Sequence, residues 1–325
     1  MLALATDRYG PLDRLRIVEI AQPEPGPGEV RVRVHASALN PADYKVAQGR
    51  MKFLHARNFP LVLGYDFSGV VEALGRGVSS LALGDAVFGC LPYGPGNRRG
   101  AFAQALVARC DQLALKPAGV SHSQAAAGAT PGLTALQSLR DLARIRRPGL
   151  RVLITGVSGG VGSLAVGVAR RLGAAVTAVG SGAGLALARQ MGAERVIDRT
   201  REDAVGAMNA APGPLDAVFD AAAAYRWRQW RSALGRRGTF VATMPSMNFA
   251  IDKLTSLFGG PRCEVAMVKS RPDDLRTVGE WMASGLIVPV DSTISLADVP
   301  GSLDRLQRGQ VHGRVVVEIQ PAAAA

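Results

Sequence analysis

The chain has 325 residues, 48% of them hydrophobic and 20% charged, which is typical of a folded globular protein and excludes a disordered one. This length allows two domains of ordinary size. The formal net charge is +12, and the 38 basic residues include only five lysines, so arginine dominates. Because the arginines are scattered along the sequence without interleaved aromatic residues, the pattern makes nucleic-acid binding an unfavoured reading.

Composition also bears on the compartment. No apolar run is long enough to span a bilayer, and the N-terminus lacks the basic start and apolar core of a secretory signal. The cysteines are odd in number and far apart (Cys90, Cys110 and Cys263), so they form neither a disulfide framework nor a cysteine-rich metal site. We therefore expect a reducing, cytoplasmic setting.

The first 120 residues predict β-structure. Short β-rich runs are separated by turn-forming stretches such as "PEPGPGE", and they read "DRLRIVEIAQ", "EVRVRVHASAL", "FSGVVEALG" and "GDAVFG". From residue 121 an Ala- and Leu-rich segment predicts a helix, for which Ser121 or Ser123 is a candidate cap.

From residue 151 onward, strands alternate with helices. The expected strands are 151–156, 175–180, 194–198, 215–221 and 238–244, and the expected helices are 162–173, 184–192 and 226–234. A further helix is expected at 273–285 and a final strand at 313–319. Such alternation predicts an α/β fold with a parallel sheet covered by helices on both faces.

A Gly-rich loop joins the first strand of this series to its helix, in "VLITGVSGGVGSLAVGVARRLG". Either Gly160, Gly162 and Ala165 satisfy G-x-G-x-x-A, or Gly159 and Gly162 are the last two glycines of G-x-G-x-x-G, with Val157 in the first place. In both registers the backbone N–H groups can approach a pyrophosphate at the positive end of the helix. A tight turn without a ligand is the alternative, but the surrounding alternation favours a dinucleotide. The predicted cofactor contacts in the loop are Ser158, Gly159, Gly160, Val161 and Gly162.

The end of the second strand bears on which dinucleotide binds. NAD enzymes place Asp or Glu there, about 20 residues after the loop, to bind the ribose hydroxyls. Here the strand ends at Gly180 and Ser181, with no acid nearby. A 2′-phosphate would meet no repulsion and could accept a hydrogen bond from Ser181, so we expect NADPH in preference to NADH.

Several motifs along almost the whole chain resemble those of the zinc-free medium-chain dehydrogenase/reductases, in the quinone oxidoreductase and enone (alkenal) reductase branch. They are "NPADYK" (40–45), "FPLVLGYDFSGVV" (59–71), "GDAVFG" (84–89), "GAFAQ" (100–104), "GLTA" (132–135), "SGGVG" (158–162), "LGA" (172–174) and "GRVVVEI" (313–319). The resemblance implies a GroES-like, β-rich catalytic domain (1–120 and 287–325) and a doubly wound Rossmann NADPH-binding domain (121–286).

The resemblance also implies the absence of a metal. Zinc-dependent relatives carry Cys at the position of Asn40 and a His-Glu pair at Tyr65 and Asp66. Neither the Cys nor the His is present here, no Cys lies near 128–132, and the four-Cys structural lobe is missing. We therefore expect no zinc site.

Without zinc, the accessible chemistry is hydride transfer from NADPH to the β-carbon of an α,β-unsaturated carbonyl or to a quinone. Lys45 is the first candidate to polarise the carbonyl or to hold the nicotinamide ribose; the alternative is a surface lysine. Tyr65 either donates a proton or packs against the cofactor. Asn40, included in the catalytic set, and Asp43 are expected mainly to shape their loop.

The resemblance assigns further residues to the cofactor and the substrate. Thr134, Arg199 and Arg314 are expected at the cofactor, although Ala183 and Gly184 stand where NADPH-using relatives carry Lys or Arg. Arg199 is the candidate to supply the missing positive charge. Substrate choice is expected in "HARNFP" (55–60) and "TMPSMNF" (243–249), with a pocket lined by Tyr44, Asp43, Met244 and Phe249.

Two other functions remain open. One is an enoyl-thioester reductase of polyketide-type biosynthesis, for which an acyl carrier protein is a possible partner of the basic surface. The other is a crystallin-like or RNA-binding, non-enzymatic member of the family. The apolar run "CEVAMV" (263–268) reads as an edge strand, and from it we expect a homodimer.

Overall fold

The computed structural model describes residues 1–52, 59–94, 100–245 and 249–319. Backbone contacts divide the chain into a first unit, Met1–Thr130 with Lys269–Ala325, and a second unit, Pro131–Val268. The sequence analysis placed the boundaries at 120/121 and 286/287. The second boundary lies earlier in the structure because the helix Pro272–Ala283 packs on the strand Leu113–Leu115 of the first unit.

The N-terminal part of the first unit is built of short strands and two helices. Their bounds are β1 Leu2–Thr6, β2 Arg16–Glu19, β3 Glu29–Ala38, α1 Pro41–Ala47, β4 Leu61–Val62, β5 Asp66–Leu74, β6 Ala86–Cys90, β7 Ala105–Arg109, β8 Leu113–Leu115 and α2 His122–Leu136. In β3, Val30, Val32 and Val34 are fully buried while Arg31 and Arg33 point outward. This period of two explains why the segment forms a strand.

Helix α2 starts with a capping box, in which one of the two predicted cap residues takes part. The Gln124 backbone N–H donates to Ser121 Oγ at 3.1 Å, and the Ser121 N–H donates to Gln124 Oε1 at 3.1 Å. Ser121, and not Ser123, is therefore the cap. The helix contains the boundary between the two units and continues into a π-helical turn, Gln137–Leu142.

The second unit is a parallel sheet with interleaved helices. Its elements are β9 Arg151–Thr155, α3 Gly160–Arg171, β10 Ala175–Gly180, α4 Ala183–Gln190, β11 Arg195–Asp198, α5 Ala204–Asn209, β12 Leu215–Asp220, α6 Trp227–Trp230, β13 Leu234–Ala242, α7 Phe249–Leu257 and β14 Arg262–Val265. The strand order β11-β10-β9-β12-β13-β14, with every pair parallel, is the doubly wound arrangement that the sequence predicted.

The prediction of a helix over 226–234 is wrong in its length. Only Trp227–Trp230 is helical, and β13 already begins at Leu234, paired with Leu215 of β12. Both tryptophans are buried in the hydrophobic core of the unit, and Trp227 Nε1 donates to the Pro261 carbonyl at 3.1 Å. This packing overrides the local helix pattern.

The C-terminal part returns to the first unit. It comprises α8 Pro272–Ala283, β15 Val290–Ser295, α9 Val299–Gln307 and β16 Arg314–Glu318. β16 pairs in parallel with β15 and antiparallel with β3, which completes a seven-stranded sheet. Within the described ranges, no helix is both long and apolar enough to cross a membrane.

The segment expected as an edge strand lies at an edge. β14 covers Arg262–Val265 and, within the described ranges, is the last strand in the sheet of the second unit and pairs only with β13. An unpaired edge is where a second copy of the chain could pair. The homodimer stays a prediction.

A buried ion pair connects the strands at the centre of the first unit. Arg314 Nη2, at the start of β16, lies 2.5 Å from Asp66 Oδ2, at the start of β5, and both side chains are at most 5% exposed. Arg314 Nη1 donates to Asn40 Oδ1 at 3.0 Å. The other oxygen of Asp66 accepts hydrogen bonds from the backbone N–H of Thr130, at 2.9 Å, and from its hydroxyl. The pair therefore links β5, β16, α1 and α2.

We predict that Asp66→Leu lowers the free energy of unfolding by about 3–5 kcal/mol, because it leaves the Arg314 guanidinium buried without a counter-charge. The double variant Asp66→Leu/Arg314→Met should lose less than the single one, since no buried charge remains. Urea denaturation of the three proteins measures this. A double variant at least as destabilised as the single one would contradict the prediction.

A second polar cluster in the first unit is a stacked histidine pair. The rings of His35 and His122 are 4.5 Å apart and nearly parallel, and His122 Nδ1 lies 2.8 Å from Ser68 Oγ. Burial, followed by the neighbouring His35, Lys116 and Arg33, lowers the pKa of His122 to about 4, and burial also lowers the pKa of His35. Both rings are therefore neutral near pH 7.

This lowered pKa predicts a pH dependence of stability. Above pH 6.5 His122 is neutral in both states and its contribution is fully present. As pH falls from 6.5 toward 4 the unfolded chain binds a proton that the folded chain does not, so stability is lost. His122→Gln should flatten this loss in urea titrations at pH 7 and pH 5, whereas His312→Gln, at an exposed position, should not. Equal pH dependence in the wild type and His122→Gln would refute the assignment.

Candidate active site

The Gly-rich loop of the second unit has the shape of a phosphate cradle. Gly156 has a φ of +68°, and a Cβ on Gly162 would lie 2.3 Å from the Gly156 carbonyl oxygen. Gly159 is the N-cap of α3, and its N–H donates to the Gly156 oxygen at 3.0 Å. The three glycines with structural roles are thus Gly156, Gly159 and Gly162. The first place belongs to Gly156, while Val157 is buried beneath the loop.

This geometry fits a pyrophosphate. Helix α3 begins at Gly160, so the backbone N–H groups of its first turn, at Gly160, Val161 and Gly162, lie at the positive end of the helix dipole. No Cβ stands at these glycines, and Ser158 precedes the N-cap. The loop follows β9, next to β12, where the strand order reverses and dinucleotides bind in such sheets.

The end of β10 excludes one way of binding a 2′-phosphate. A Cβ on Gly184 would lie 2.6 Å from the Cβ of Ser158, so a long basic side chain does not fit there. Ala183 is exposed and uncharged. Ser181 directly follows Gly180, the last residue of the strand, and is partly exposed.

Arg199 lies beside the end of β10. Its backbone N–H donates to the Gly180 carbonyl at 3.0 Å, and its side chain is exposed. The guanidinium has no ion pair or hydrogen bond to any residue that the structure describes. The adjacent carboxylate of Asp198 accepts instead from the N–H and the hydroxyl of Thr200, at 3.0 and 2.7 Å, which lowers its pKa. Arg199 thus carries an exposed positive charge, and its backbone is bonded to Gly180, the residue before Ser181.

Sequence reasoning missed Asp220. This fully buried carboxylate ends β12 and accepts hydrogen bonds from the Thr155 hydroxyl and from the Tyr225 backbone N–H, at 2.5 and 2.7 Å. It thereby joins the ends of the two strands beside the reversal of strand order. The available signal is the acid at the end of "LDAVFD", a segment for which the sequence pattern predicts only a strand.

The predicted substrate residues Met244 and Phe249 line one cavity of about 130 Å³ in the second unit. Tyr225, Trp227 and Cys263 also line it, and burial raises the pKa of the Cys263 thiol to about 12, so the thiol is neutral. Of the segments expected to set substrate choice, residues 55–58 and 246–248 lie outside the described residues.

In the first unit, Asn40 and Asp43 shape the start of α1. The Asn40 N–H donates to Asp43 Oδ2 at 2.7 Å, and the Gly64 N–H donates to Asp43 Oδ1 at 3.0 Å. Asn40 Nδ2 donates to Asp66 Oδ2 at 3.0 Å. Burial raises the pKa of Asp43 to about 7, although the two backbone donors favour the carboxylate. These bonds orient the helix that carries Tyr44 and Lys45.

Lys45 lies in the last turn of α1 and is partly buried. Burial, and then the charge of Arg50, lowers the pKa of its amine. Nζ has no hydrogen bond or ion pair within the described part of the chain. Burial raises the pKa of the partly buried Tyr44 next to it. A cationic donor without an internal partner is thus available at this helix.

Tyr65 is 2% exposed, and its ring centroid lies 4.2 Å from that of Tyr93. Burial raises the pKa of its phenol far above the usual value, so the group is neutral and can act only as a hydrogen-bonding or proton-donating phenol. The ring packs against Tyr93, and both roles considered for Tyr65, proton donor or packing against the cofactor, stay predictions. The Sγ of Cys90 lies 2.9 Å from the hydroxyl oxygen of Thr130.

The donor set here does not fit a zinc ion. Asn40 stands in place of a thiolate, Tyr65 is a neutral phenol, and Asp66 is saturated by Arg314, Asn40 and Thr130. No group of three or more His, Cys, Asp or Glu in the described ranges is arranged to hold a metal ion.

The structure thus collects the predicted residues into two sets. Lys45, Tyr65, Asn40, Asp43 and Tyr44 lie in the first unit, together with Arg314, whose guanidinium is bound to Asp66 and Asn40. The glycine loop, Ser181 and Arg199 lie in the second unit, as does Thr134, which is 8% exposed on α2. Thr130 and Cys90 were not foreseen, because nothing in their local sequence marks them.

The chain matches two family models and is similar to known proteins over most of its length. The family model described as Alcohol dehydrogenase GroES-like domain matches residues 26–118, and the one described as Zinc-binding dehydrogenase matches residues 191–317. The chloroplastic quinone-oxidoreductase homolog of Spinacia oleracea is 29% identical over 318 residues, which are 95% of each chain.

Two further proteins are similar to this chain, one over almost its whole length and one over part of it. The structure of the quinone oxidoreductase from Coxiella burnetii superposes with a TM-score of 0.87 at 29% identity, over 98% of this chain and 99% of that one. A mycocerosic acid synthase-like polyketide synthase of Mycobacterium tuberculosis is 42% identical over 192 residues, 58% of this chain but 9% of that protein. The expected GroES-like and Rossmann-type folds are confirmed. The chain belongs to the medium-chain dehydrogenase/reductases, a family of oxidoreductases, and it is similar to quinone oxidoreductases.

Proposed function

We propose that the protein is a zinc-independent, NADPH-dependent reductase that delivers hydride to the β-carbon of an α,β-unsaturated carbonyl or to a quinone. The observation that carries the proposal is the state of Asp66, whose carboxylate is occupied by Arg314, Asn40 and Thr130 beside the neutral phenol of Tyr65. Alcohol oxidation needs a group that removes the hydroxyl proton, which zinc supplies in zinc enzymes. An acceptor that is already electrophilic needs no such group.

The residues present support each part of the reaction. The first-turn N–H groups of α3 bind the pyrophosphate, and Ser181 and Arg199 bind the 2′-phosphate. When bound, NADPH supplies the hydride from its nicotinamide ring. The ammonium of Lys45 polarises the substrate oxygen, and that charge matters most as the oxygen becomes negative. Solvent or the neutral phenol of Tyr65 then supplies the proton that completes the two-electron reduction.

One observation favours a second candidate, an enoyl-thioester reductase of polyketide-type biosynthesis. The identity to the polyketide synthase, 42% over 192 residues, is higher than to the quinone oxidoreductase homolog, although it covers only part of the chain. The chemistry at the β-carbon is the same in both candidates. They differ in whether the carbonyl belongs to a small enone or to a thioester on a carrier.

The test is NADPH consumption against a 1,4-quinone, a short 2-alkenal, a cyclic enone and an enoyl thioester, with Lys45→Ala in parallel. We predict turnover of one class, and a loss in kcat/KM of about tenfold to a thousandfold in Lys45→Ala, because a single hydrogen-bond donor to a developing oxyanion contributes on this scale. Lys52→Ala, at a nearby exposed lysine, is the matched control and should keep full activity.

Turnover of the thioester alone would select the second candidate. Tight NADPH binding without turnover of any of the four classes would overturn both reductase proposals and leave the crystallin-like or RNA-binding function. Equal activity of Lys45→Ala and Lys52→Ala would remove Lys45 from the reaction.

Arg199 makes a separate prediction about cofactor choice. Arg199→Ala should raise KM for NADPH by about tenfold or more while leaving KM for NADH unchanged, because a charge-assisted bond to the 2′-phosphate contributes about 1.5–3 kcal/mol. The control is Arg195→Ala at the opposite end of β11, where the side chain makes an exposed ion pair with Glu202 and a weak contact with the Met208 sulfur. If KM for NADPH and KM for NADH rise equally in Arg199→Ala, Arg199 does not bind the 2′-phosphate.

A further inference from the structure

Five arginines from three separate segments of the sequence line one cavity in the second unit. The cavity, here called the arginine pocket, has a volume of about 470 Å³ and contains the side chains of Arg144, Arg147, Arg236, Arg237 and Arg262. In the sequence they belong to three short segments, which is why the basic residues look scattered. The fold of the second unit brings these segments to one place.

The charge of the pocket is not compensated. None of its five arginines has an ion pair with any described residue, and one carboxylate, Asp216, lines the cavity. Asp216 Oδ2 already accepts the backbone N–H of Arg151 at 2.8 Å. Elsewhere in the unit, arginines such as Arg170, Arg195 and Arg228 are paired with acids. Concentrated like charge raises the free energy of the empty site, and an anion would relieve it.

The fold holds one of the five side chains and the backbone of a second arginine. Arg262, the first residue of β14, is partly buried and donates to Thr239 Oγ1 at 2.8 Å. Burial and the charge of Arg144 lower its pKa. Arg144 has a φ of +59°, a left-handed conformation that is unfavourable for a residue with a Cβ. The pocket is thus partly preorganised, which reduces the entropy lost on binding.

The pocket is separate from the cofactor site. Arg147 precedes β9 and Arg262 begins β14, so the pocket lies at the amino ends of the parallel strands. The glycine loop follows the carboxyl end of β9, about 16 Å away along a five-residue strand. An anion in the arginine pocket therefore does not compete for the pyrophosphate cradle.

We propose that the arginine pocket binds a soluble small molecule that carries two or more phosphate groups. Planar guanidinium groups bind phosphate oxygens in pairs, and several converging forks select a ligand with more than one phosphate. The volume is within the range of sites for small ligands. Among the residues that the structure describes, no aromatic side chain lines the cavity to stack on nucleic-acid bases, and this favours a small ligand over RNA.

The test uses inorganic tripolyphosphate as the probe in isothermal titration calorimetry, with the full chain saturated with NADPH to occupy the cofactor site. We expect one tripolyphosphate per chain, with an affinity that falls steeply as salt is raised. Arg236→Ala/Arg237→Ala should weaken binding by at least about tenfold, because two charge-assisted phosphate contacts are lost. Arg147→Ala is a second variant at an exposed position.

The control is Arg276→Ala/Arg308→Ala, which removes the same charge from two exposed helix ion pairs in the first unit. This control should bind tripolyphosphate as the wild type does. The proposal is overturned if the control weakens binding as much as Arg236→Ala/Arg237→Ala, since the effect is then one of net charge. It is also overturned if a single-stranded RNA oligonucleotide binds and tripolyphosphate does not.

Discussion

The buried pair of Asp66 and Arg314 is the constraint on which the first unit depends. Its charges are almost fully removed from water, so each needs the other and the surrounding hydrogen bonds. Those bonds come from Asn40 before α1 and from Thr130 in α2, while the two charges start β5 and β16. A single polar cluster therefore sets where α1 begins and, with it, the position of Tyr44 and Lys45. The carboxylate that could have bound a metal has a structural role instead.

In the second unit, close packing at glycines positions the elements, as the buried ion pair does in the first unit. Gly162 and Gly184 are required because the backbone of one element lies where a Cβ would otherwise stand. The first contact brings α3 against the end of β9 and so aims its first-turn N–H groups at one point. The second brings α4 against Ser158 and leaves no room for a basic side chain at 184. The proposed NADPH preference therefore rests on Arg199, which directly follows the next strand and is bonded through its backbone to Gly180.

Much of this was readable from sequence where function requires a local pattern. The alternation of strands and helices, the loop between β9 and α3, the missing acid at Gly180 and Ser181, and the Ser121 cap depend on residues close together in the chain. The register of the loop was not readable, because its glycines differ only in the backbone contacts that they make. The helix at 226–234 was overestimated, because burial of Trp227 and Trp230 decides its length. Asp220, Thr130 and Cys90 were missed because each has a partner 40 or more positions away in the chain.

The sequence by itself determined the two kinds of architecture, the dinucleotide loop and the absence of zinc-ligating side chains at Asn40 and Tyr65, since each follows from residue type or short-range periodicity. Only the tertiary structure decided which charges are paired. Arg314, expected at the cofactor, is held by Asp66, whereas Arg199 is left free. Five arginines from three segments converge around one carboxylate. Pairing of charges depends on distances between segments remote in the chain, and such distances exist only once the strands have assembled.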